Sequence, residues 1–491
     1  METDTRIQLI TVLSSETVRL AMQAIDRGGL GTMLIAEPET NRFVGLLTDG
    51  DIRRALLDGT GLESPLEMIP RQTAVTADLH TPREEIVKLF NPDVRVIPIL
   101  DDNHRVVDLA LFDGRAHLPV AQPILGEREL VYVTECILTG WISSNGRFVG
   151  EFENRCADYC RVPHAISTSN GTTALHLALL ALGIGPGDEV IVPTLTFIAS
   201  ANAVTHTGAR PVFVDSESIC WNVDPAAVER AITDRTKAVM AVHLYGHPAD
   251  MKALRAICDR HNLFLVEDAA EAFGSTHHGE PAGSLGDIAA FSFFGNKIIT
   301  TGEGGMVLTA NPEFAEKCRI LRDHGMSATR RYWHPVLGYN YRMTNLQAAV
   351  GVGQMEKVSS IITAKRQIAS TYGSMLRGLP GITMPEEPVG ARSVFWLNSV
   401  KIDPSTFGLH RDDVMEELKQ RGIETRPVFT VVHRQPIYAH LSHAPMPVAE
   451  ELSANGLSLP SDASLTESEI QRVADSLHQI HLSSTPSTSV T

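Results

Sequence analysis

Downstream of residue 126 the chain alternates between two hydrophobic periods. DEVIVPTLTF, RPVFVD, KAVMAVHLYG and LFLVED carry short, nearly continuous apolar runs, the pattern of strands buried on both faces. Between them LHLALLALGI, ASANAVTHTGA, PAAVERAIT and DMKALRAICDRH repeat their apolar residues at three- and four-residue intervals, the pattern of helices. Strands alternating with helices predict an α/β fold built on a largely parallel sheet. Ligands of such sheets gather beyond the carboxyl ends of the strands, so the residues that close each strand are the first place to look for chemistry. This large domain is expected over 119–374. Residues 375–483 mix both patterns again and are expected to form a smaller C-terminal α/β domain. The polar, aperiodic tail, 484–491, is expected to be frayed.

Residues 1–118 read as a separate module with an internal repeat. SETVRLAMQAIDRGGLGTMLIAEPETNRFVGLLTDGDIRRALLDG predicts helix, strand, turn, strand, helix, and TPREEIVKLFNPDVRVIPILDDNHRVVDLALFDGR predicts the same order. Aligning Arg42 with Arg105 pairs RFVGLL with RVVDLA at an offset of 63. Small repeated units that cannot cover their own sheets are expected to pack as a pair. GLLTDGDIRRAL resembles the strand-to-helix signature of CBS domains. The resemblance implies an α/β CBS pair that binds adenine nucleotides, with Thr48 and Asp49 as the ligand contacts. The second copy carries Leu111-Phe112 at the matching positions, so at most one site is expected. A vestigial packing module is the alternative.

Composition narrows the classes. The formal net charge of −16 over 491 residues argues against a nucleic-acid binder, which would carry a basic footprint. No run of 18 apolar residues occurs, so no membrane span is expected. METDTRIQLITVL lacks a basic segment followed by an apolar one, so the expected location is the cytoplasm. Six cysteines in so long a chain do not suggest a disulfide framework. Cys156 and Cys160 are expected as buried thiols, and no metal cluster stands out.

The chemistry concentrates at the predicted strand ends. AAFSFFGNKIITTGEGGMV leads an apolar run into Lys297 and then into a glycine-rich turn. A lysine in that low-dielectric setting is expected to have a depressed pKa and to be nucleophilic. LFLVEDAAEAFG ends a buried strand on Asp268, an expensive placement unless a cation or donors meet it. STSNGTTALHLALLAL starts a helix whose Gly171, Thr172 and Thr173 amides can hold an anion. Ser292 lies five residues before Lys297 and can offer a hydroxyl to the same anion, and Phe197 can stack on a flat ring. Singly these read as caps, salt bridges or core packing. Jointly they supply an anion cradle, an acid for a ring nitrogen, an aromatic face and an amine. Pyridoxal phosphate requires that set.

At these residues the chain resembles the DegT-type nucleotide-sugar aminotransferases, a group within the fold-type I pyridoxal-phosphate enzymes. The resemblance spans about residues 122 to 480 and rests on GWISSNGRFVGEFE, SNGTTALHLALLALGIGPGDEVIVPTLTFIASANAV, VEDAAEAFGS, FSFFGNKIITTGEGGMV and GYNYRMTNLQAAVG. It implies a mostly parallel seven-stranded sheet. It implies Lys297 as the Schiff-base lysine and proton carrier, and Asp268 at the pyridine nitrogen. Gly171, Thr172 and Ser292 are implied at the phosphate, with Phe197 against the ring. Glu271 occupies a position beside the cofactor often held by Gln or His. Members are homodimers with active sites at the interface, or dimers of dimers, and Asn340 is implied to reach the partner subunit's cofactor phosphate. Trp141, Ser143, Arg426 and His433 stand at positions implied to touch the sugar nucleotide.

The implied reaction moves the amino group of L-glutamate to C4 of a 4-keto-6-deoxy nucleotide sugar, for surface polysaccharide synthesis. RYWHPVLGYNYRMTN and IETRPVFTVVHRQPIY are most similar to members that convert GDP-4-keto-6-deoxymannose to GDP-perosamine. Another UDP- or dTDP-linked keto sugar, and a CBS-dominated non-catalytic sensor, remain alternatives. A dehydratase of the same fold would replace the Schiff-base lysine with His, and Lys297 stands here.

Overall fold

The computed structural model describes residues 5–70, 74–82, 85–86, 89–90, 94–111 and 117–484. The chain divides into two compact units, Met1–Ala116 and His117–Thr491.

The first unit bears out the repeat. Strands Thr11–Leu13, Thr32–Ala36 and Phe43–Thr48 form one sheet, and Ala77–Asp78, Val96–Leu100 and Val106–Leu111 form another. Each sheet pairs its first two strands in parallel and its last two antiparallel. The hairpin tips match as well: Asn41 (φ 57°) and His104 (φ 60°) both turn through the left-handed region. The Phe43 amide donates to the His104 carbonyl at 2.8 Å, joining the copies tip to tip. Phe112 of the second copy, part of its expected opening helix and its closing helix lie outside the described residues.

Thr48 closes its strand and caps the helix Asp49–Leu57, as the sequence suggests. Its amide donates to Asp51 Oδ2 at 2.8 Å and its hydroxyl accepts from the Asp51 amide at 3.2 Å. Asp49 pairs with Arg53 one turn on. The polar groups of this junction are thus engaged with their own helix, the ordinary capping arrangement.

The second unit is built on a seven-stranded sheet. Its order is His164–Thr168, Gly305–Thr309, Ile288–Ser292, Phe264–Asp268, Thr236–Val242, Glu189–Pro193, Arg210–Val214. Only Gly305–Thr309 runs against its neighbours; the rest are mutually parallel. Apolar side chains fill both faces, Ile166, Val190, Met240 and Val266 on one and Ile191, Val239 and Leu265 on the other. That two-sided burial explains the unbroken hydrophobic runs.

The mostly parallel direction has one consequence for chemistry. Thr168, Pro193, Val242, Asp268 and Ser292 all end their strands at the same edge of the sheet. The helices that follow begin there, and so do the loops that carry Phe197 and Lys297.

A 31-residue helix, Asn345–Met375, leads to a four-stranded antiparallel sheet of Ile382–Thr383, Asn398–Ile402, Gly456–Leu459 and Arg426–Pro427. RAHLPVAQPILGE, with its two prolines, reads as a connection. Its middle is nevertheless stitched into the second unit, because Leu118 pairs with Ile423 and is fully buried there. Apolar Leu118 and Val120 have a core to enter, which the prolines do not prevent. Cys156 and Cys160 are buried free thiols. Among the described residues no helix is long and apolar enough to cross a membrane, and no His, Cys, Asp and Glu group is arranged to hold a metal ion.

Candidate active site

The sheet edge opens into a cavity of about 700 Å³. Asp268, Glu271, Ser292, Lys297, Phe197, Arg426 and the helix start at Gly171 all line it. Residues separated by more than a hundred positions in sequence therefore face one space.

Lys297 sits in the connection between the adjacent antiparallel strands Ile288–Ser292 and Gly305–Thr309. The connection is held from within. The Phe293 amide donates to Gly304, the Thr301 amide and the Thr300 hydroxyl donate to Phe293, and Phe293, Ile298 and Ile299 anchor it in the core. Its lysine is 13% exposed. Nζ lies 3.6 Å from Glu271 Oε1 and 3.7 Å from the centroid of the Trp396 ring. Burial pushes the amine below the ordinary lysine range, and the Glu271 and Asp268 carboxylates oppose that shift.

Asp268 ends its strand 5% exposed. Oδ2 accepts from Ser200 Oγ at 2.6 Å and Oδ1 from the Ala270 amide at 3.2 Å. Among the described residues no Lys, Arg or His makes an ion pair with it. Burial raises its pKa, against the pull of those two donors. A buried carboxyl group with two donors and no cation suits a protonated ring nitrogen. Its neighbour Glu267 points to the other face of the strand. There it accepts from His243 Nε2 and from the amides of Gly283, Leu285 and Gly286, all within 3.0 Å. Adjacent acids thus take a structural role and a cavity role because strand side chains alternate.

The anion cradle is narrower than the sequence suggests. Asn170 and Thr173 close a capping box: the Thr173 amide donates to Asn170 Oδ1 at 2.9 Å, so it is spent. Among the described residues the Gly171 and Thr172 amides have no protein acceptor, and they remain for an anion. A Cβ on Gly171 would lie 2.7 Å from the Ser292 Cβ, so glycine is what lets the helix start close on the serine hydroxyl. The glycine-rich turn after Lys297 works similarly. A Cβ on Gly305 would lie 2.3 Å from the Asn170 carbonyl, so this glycine allows the strand to pass directly beside the cap.

Phe197 faces the cavity and is 56% exposed, which leaves ring surface for a flat partner. Glu271 is buried, with Oε2 accepting from the Tyr245 amide at 2.7 Å. Burial raises its pKa to about 7, opposed first by the Lys297 charge. Arg426 lines the wall, 3.4 Å from Glu424.

The remaining candidates are placed elsewhere in this chain. His433 is buried between Thr194 Oγ1 at 2.7 Å and Glu450 Oε1 at 3.0 Å, outside the cavity. Trp141 and Ser143 expose their side chains outside it and use their carbonyls to receive Asn345. Asn340 is exposed, its Oδ1 accepting from Arg342 Nε at 3.4 Å. Ser200, Tyr245, Trp396 and Phe429 were not anticipated. Ser200 stands three residues after Phe197 on the same helix start, a signal that was available. Trp396 and Phe429 come from the C-terminal domain and carry no local signal.

The residues fit pyridoxal phosphate: unspent amides and a hydroxyl for the phosphate, an acid without a cation, an aromatic face, and a buried amine. Fold and site together define an aminotransferase of the pyridoxal-phosphate kind. The sequence matches the DegT/DnrJ/EryC1/StrS aminotransferase family over residues 123–478 and the CBS domain over residues 4–58, and the chain belongs to that aminotransferase family. It is 52% identical to the GDP-perosamine synthase of Caulobacter vibrioides over 364 residues, 74% of this chain and 98% of that one. Among solved structures it is similar to DesI in the presence of its TDP-sugar product (36% identity, TM-score 0.71, 75% of this chain and 94% of that one). It is also similar to the sugar aminotransferase Spr1654 of Streptococcus pneumoniae in its PLP form (28% identity, TM-score 0.72, 75% and 100%).

Proposed function

We propose that the enzyme transfers the amino group of L-glutamate to C4 of GDP-4-keto-6-deoxymannose, making GDP-perosamine for a surface polysaccharide. The observation that carries the aminotransferase chemistry is the convergence on one cavity of Lys297 and of Asp268, which makes no ion pair among the described residues. The choice of sugar rests on the similarity to the GDP-perosamine synthase. When bound, pyridoxal phosphate supplies an electron sink conjugated to the carbon that gains or loses the amine.

The chain's own residues do the rest. Gly171, Thr172 and Ser292 would hold the phosphate, Phe197 would cover the ring, and Asp268 would keep the ring nitrogen protonated. Lys297 would hold the cofactor through its Nζ and, with that amine free, would take up and release at Nζ the proton that the transfer requires. Arg426 offers a bidentate contact to the diphosphate.

A dimer completes the site in this reading, with Asn340 of one protomer contributing to the phosphate of the other. Two exposed apolar stretches support it: Leu130, Ile137, Leu138, Trp141 and Ile142, and Tyr332, Trp333, Val336 and Leu337 close before Asn340. Apolar surface so concentrated marks an association face. The reaction uses cytoplasmic nucleotide sugars, and the first unit senses an adenine nucleotide near Thr48 and Asp49.

GDP-, UDP- and dTDP-linked keto sugars, each offered with glutamate and read by product mass, test the substrate. Amination of the GDP sugar alone is expected, and equal turnover of the UDP sugar would overturn the assignment. Calorimetry of the full chain with ATP, ADP and AMP tests the sensor; no heat from any of them would remove it.

A further inference from the structure

The covalent role of Lys297 leaves open what holds the amine while it is detached. A lysine has four rotatable side-chain bonds, and a proton carrier that wanders loses the advantage of position. In this structure the free amine has two close neighbours. It rests between two fixed surfaces, the face of Trp396 at 3.7 Å and Glu271 Oε1 at 3.6 Å.

Both surfaces are held from behind. Trp396 donates from Nε1 to the carbonyl of Asn296 at 2.7 Å, so the ring is tied to the residue preceding the lysine it covers. Its own carbonyl accepts from Lys365 Nζ at 3.0 Å, and Lys365, 4% exposed, also donates to the Ser461 carbonyl at 2.7 Å. The indole also stacks on Tyr245, centroids 6.2 Å apart with 25° between planes. Tyr245 in turn fixes Glu271. It adopts φ 52°, ψ 21°, a conformation unfavourable for a non-glycine residue, and its amide donates to Glu271 Oε2. One carboxylate oxygen is pinned and the other is turned to the lysine.

We propose that Trp396 and Glu271 form a dock for the protonated Lys297 amine during the part of the cycle when it is not bonded to the cofactor. The inference rests on the pyridoxal-phosphate reading above. Both are positioning residues that act through Lys297. A cation over a desolvated indole is attracted by the ring's negative face, and the carboxylate adds a second attraction, so the pair keeps amine and proton together at one place. The other acid facing Lys297 is Asp268. Glu303, Arg426, His176, His206 and Tyr341 also line the cavity, and none forms an ion pair with the amine.

The test uses the full-length enzyme stripped of cofactor. Pyridoxal phosphate is added across a pH series, and its covalent attachment is followed by visible absorbance. Bond formation needs the neutral amine, so the dock sets the midpoint of the rate profile. Glu271→Gln and Trp396→Leu are each expected to move that midpoint about one unit lower, and Trp396→Phe less than Trp396→Leu. Midpoints within ~0.2 units of wild type in Glu271→Gln and the Trp396 variants overturn the dock. Should Trp396→Leu not fold, Glu271→Gln and Trp396→Phe decide the matter alone. Absence of covalent attachment in the wild-type chain would instead remove the pyridoxal-phosphate reading itself.

Discussion

Ser200 donates its hydroxyl to Asp268 across 2.6 Å in the protein interior, so the buried acid is oriented by a helix start 68 residues away. With the Ala270 amide as its only other donor among the described residues, the acid keeps unused acceptor capacity for a ring nitrogen. Asp268→Asn is expected to lower kcat by roughly 10²-fold or more while leaving Lys297 able to attach the cofactor. Ser200→Ala is expected to lower it less. Steady-state rates beside the absorbance spectrum separate the two effects; full activity in Asp268→Asn contradicts its role.

Gly171 is close-packed against Ser292. Gly171→Ala places a methyl 2.7 Å from the serine Cβ, an overpacking expected to cost about 1–3 kcal/mol. It also spreads the cradle formed by the serine hydroxyl and the helix amides. Equilibrium dialysis should show cofactor affinity reduced ~10-fold or more, with a lower melting temperature. Unchanged affinity would mean that the phosphate lies elsewhere.

Glu271 gives the cofactor-free protein a pH dependence of definite sign. Its folded pKa is raised from 4.5 to about 7, so between those values the folded state binds more protons than the unfolded state. Its contribution to stability is therefore present below about 4.5 and is lost as pH rises through about 7. Melting curves from pH 5 to pH 8 should show wild type losing stability relative to Glu271→Gln. The opposite trend would show that the Lys297 attraction outweighs burial.

Lys365 is a buried amine serving two carbonyls. Lys365→Met removes the donor to Trp396 and Ser461, and each orphaned buried acceptor costs about 1–3 kcal/mol. Urea unfolding should show the loss. A more stable variant would show that desolvation of the ammonium outweighed both bonds, since burial already lowers its pKa to about 8.

Much of the site was legible in the residues. Asp268, Lys297 and Ser292 each follow an apolar run, and the rule that parallel strands deliver their ends to one edge predicts their meeting. The front repeat was visible too, down to the offset that aligns Asn41 with His104. Thr173 was misleading because a capping sequence and an anion-binding sequence are alike until the capping bond is seen. His433 sat in a family-like stretch, yet Thr194 and Glu450 take up both of its ring nitrogens. Trp396 left no trace, since nothing around SVFWLNSV distinguishes an indole that will cover a lysine from one that fills a core.

The amino-acid order alone determined the α/β alternation, the break near residue 118 and the chemical types placed at the strand ends. These depend on periodicity and local backbone preference, which a linear chain carries within a few residues. Only the tertiary structure decided which acid of Glu267 and Asp268 faces the cavity, which amides stay unspent, and that an indole from beyond residue 390 comes to rest on Lys297. Those outcomes arise from packing between segments far apart in the chain, where distance and burial, and not residue type, select the partner.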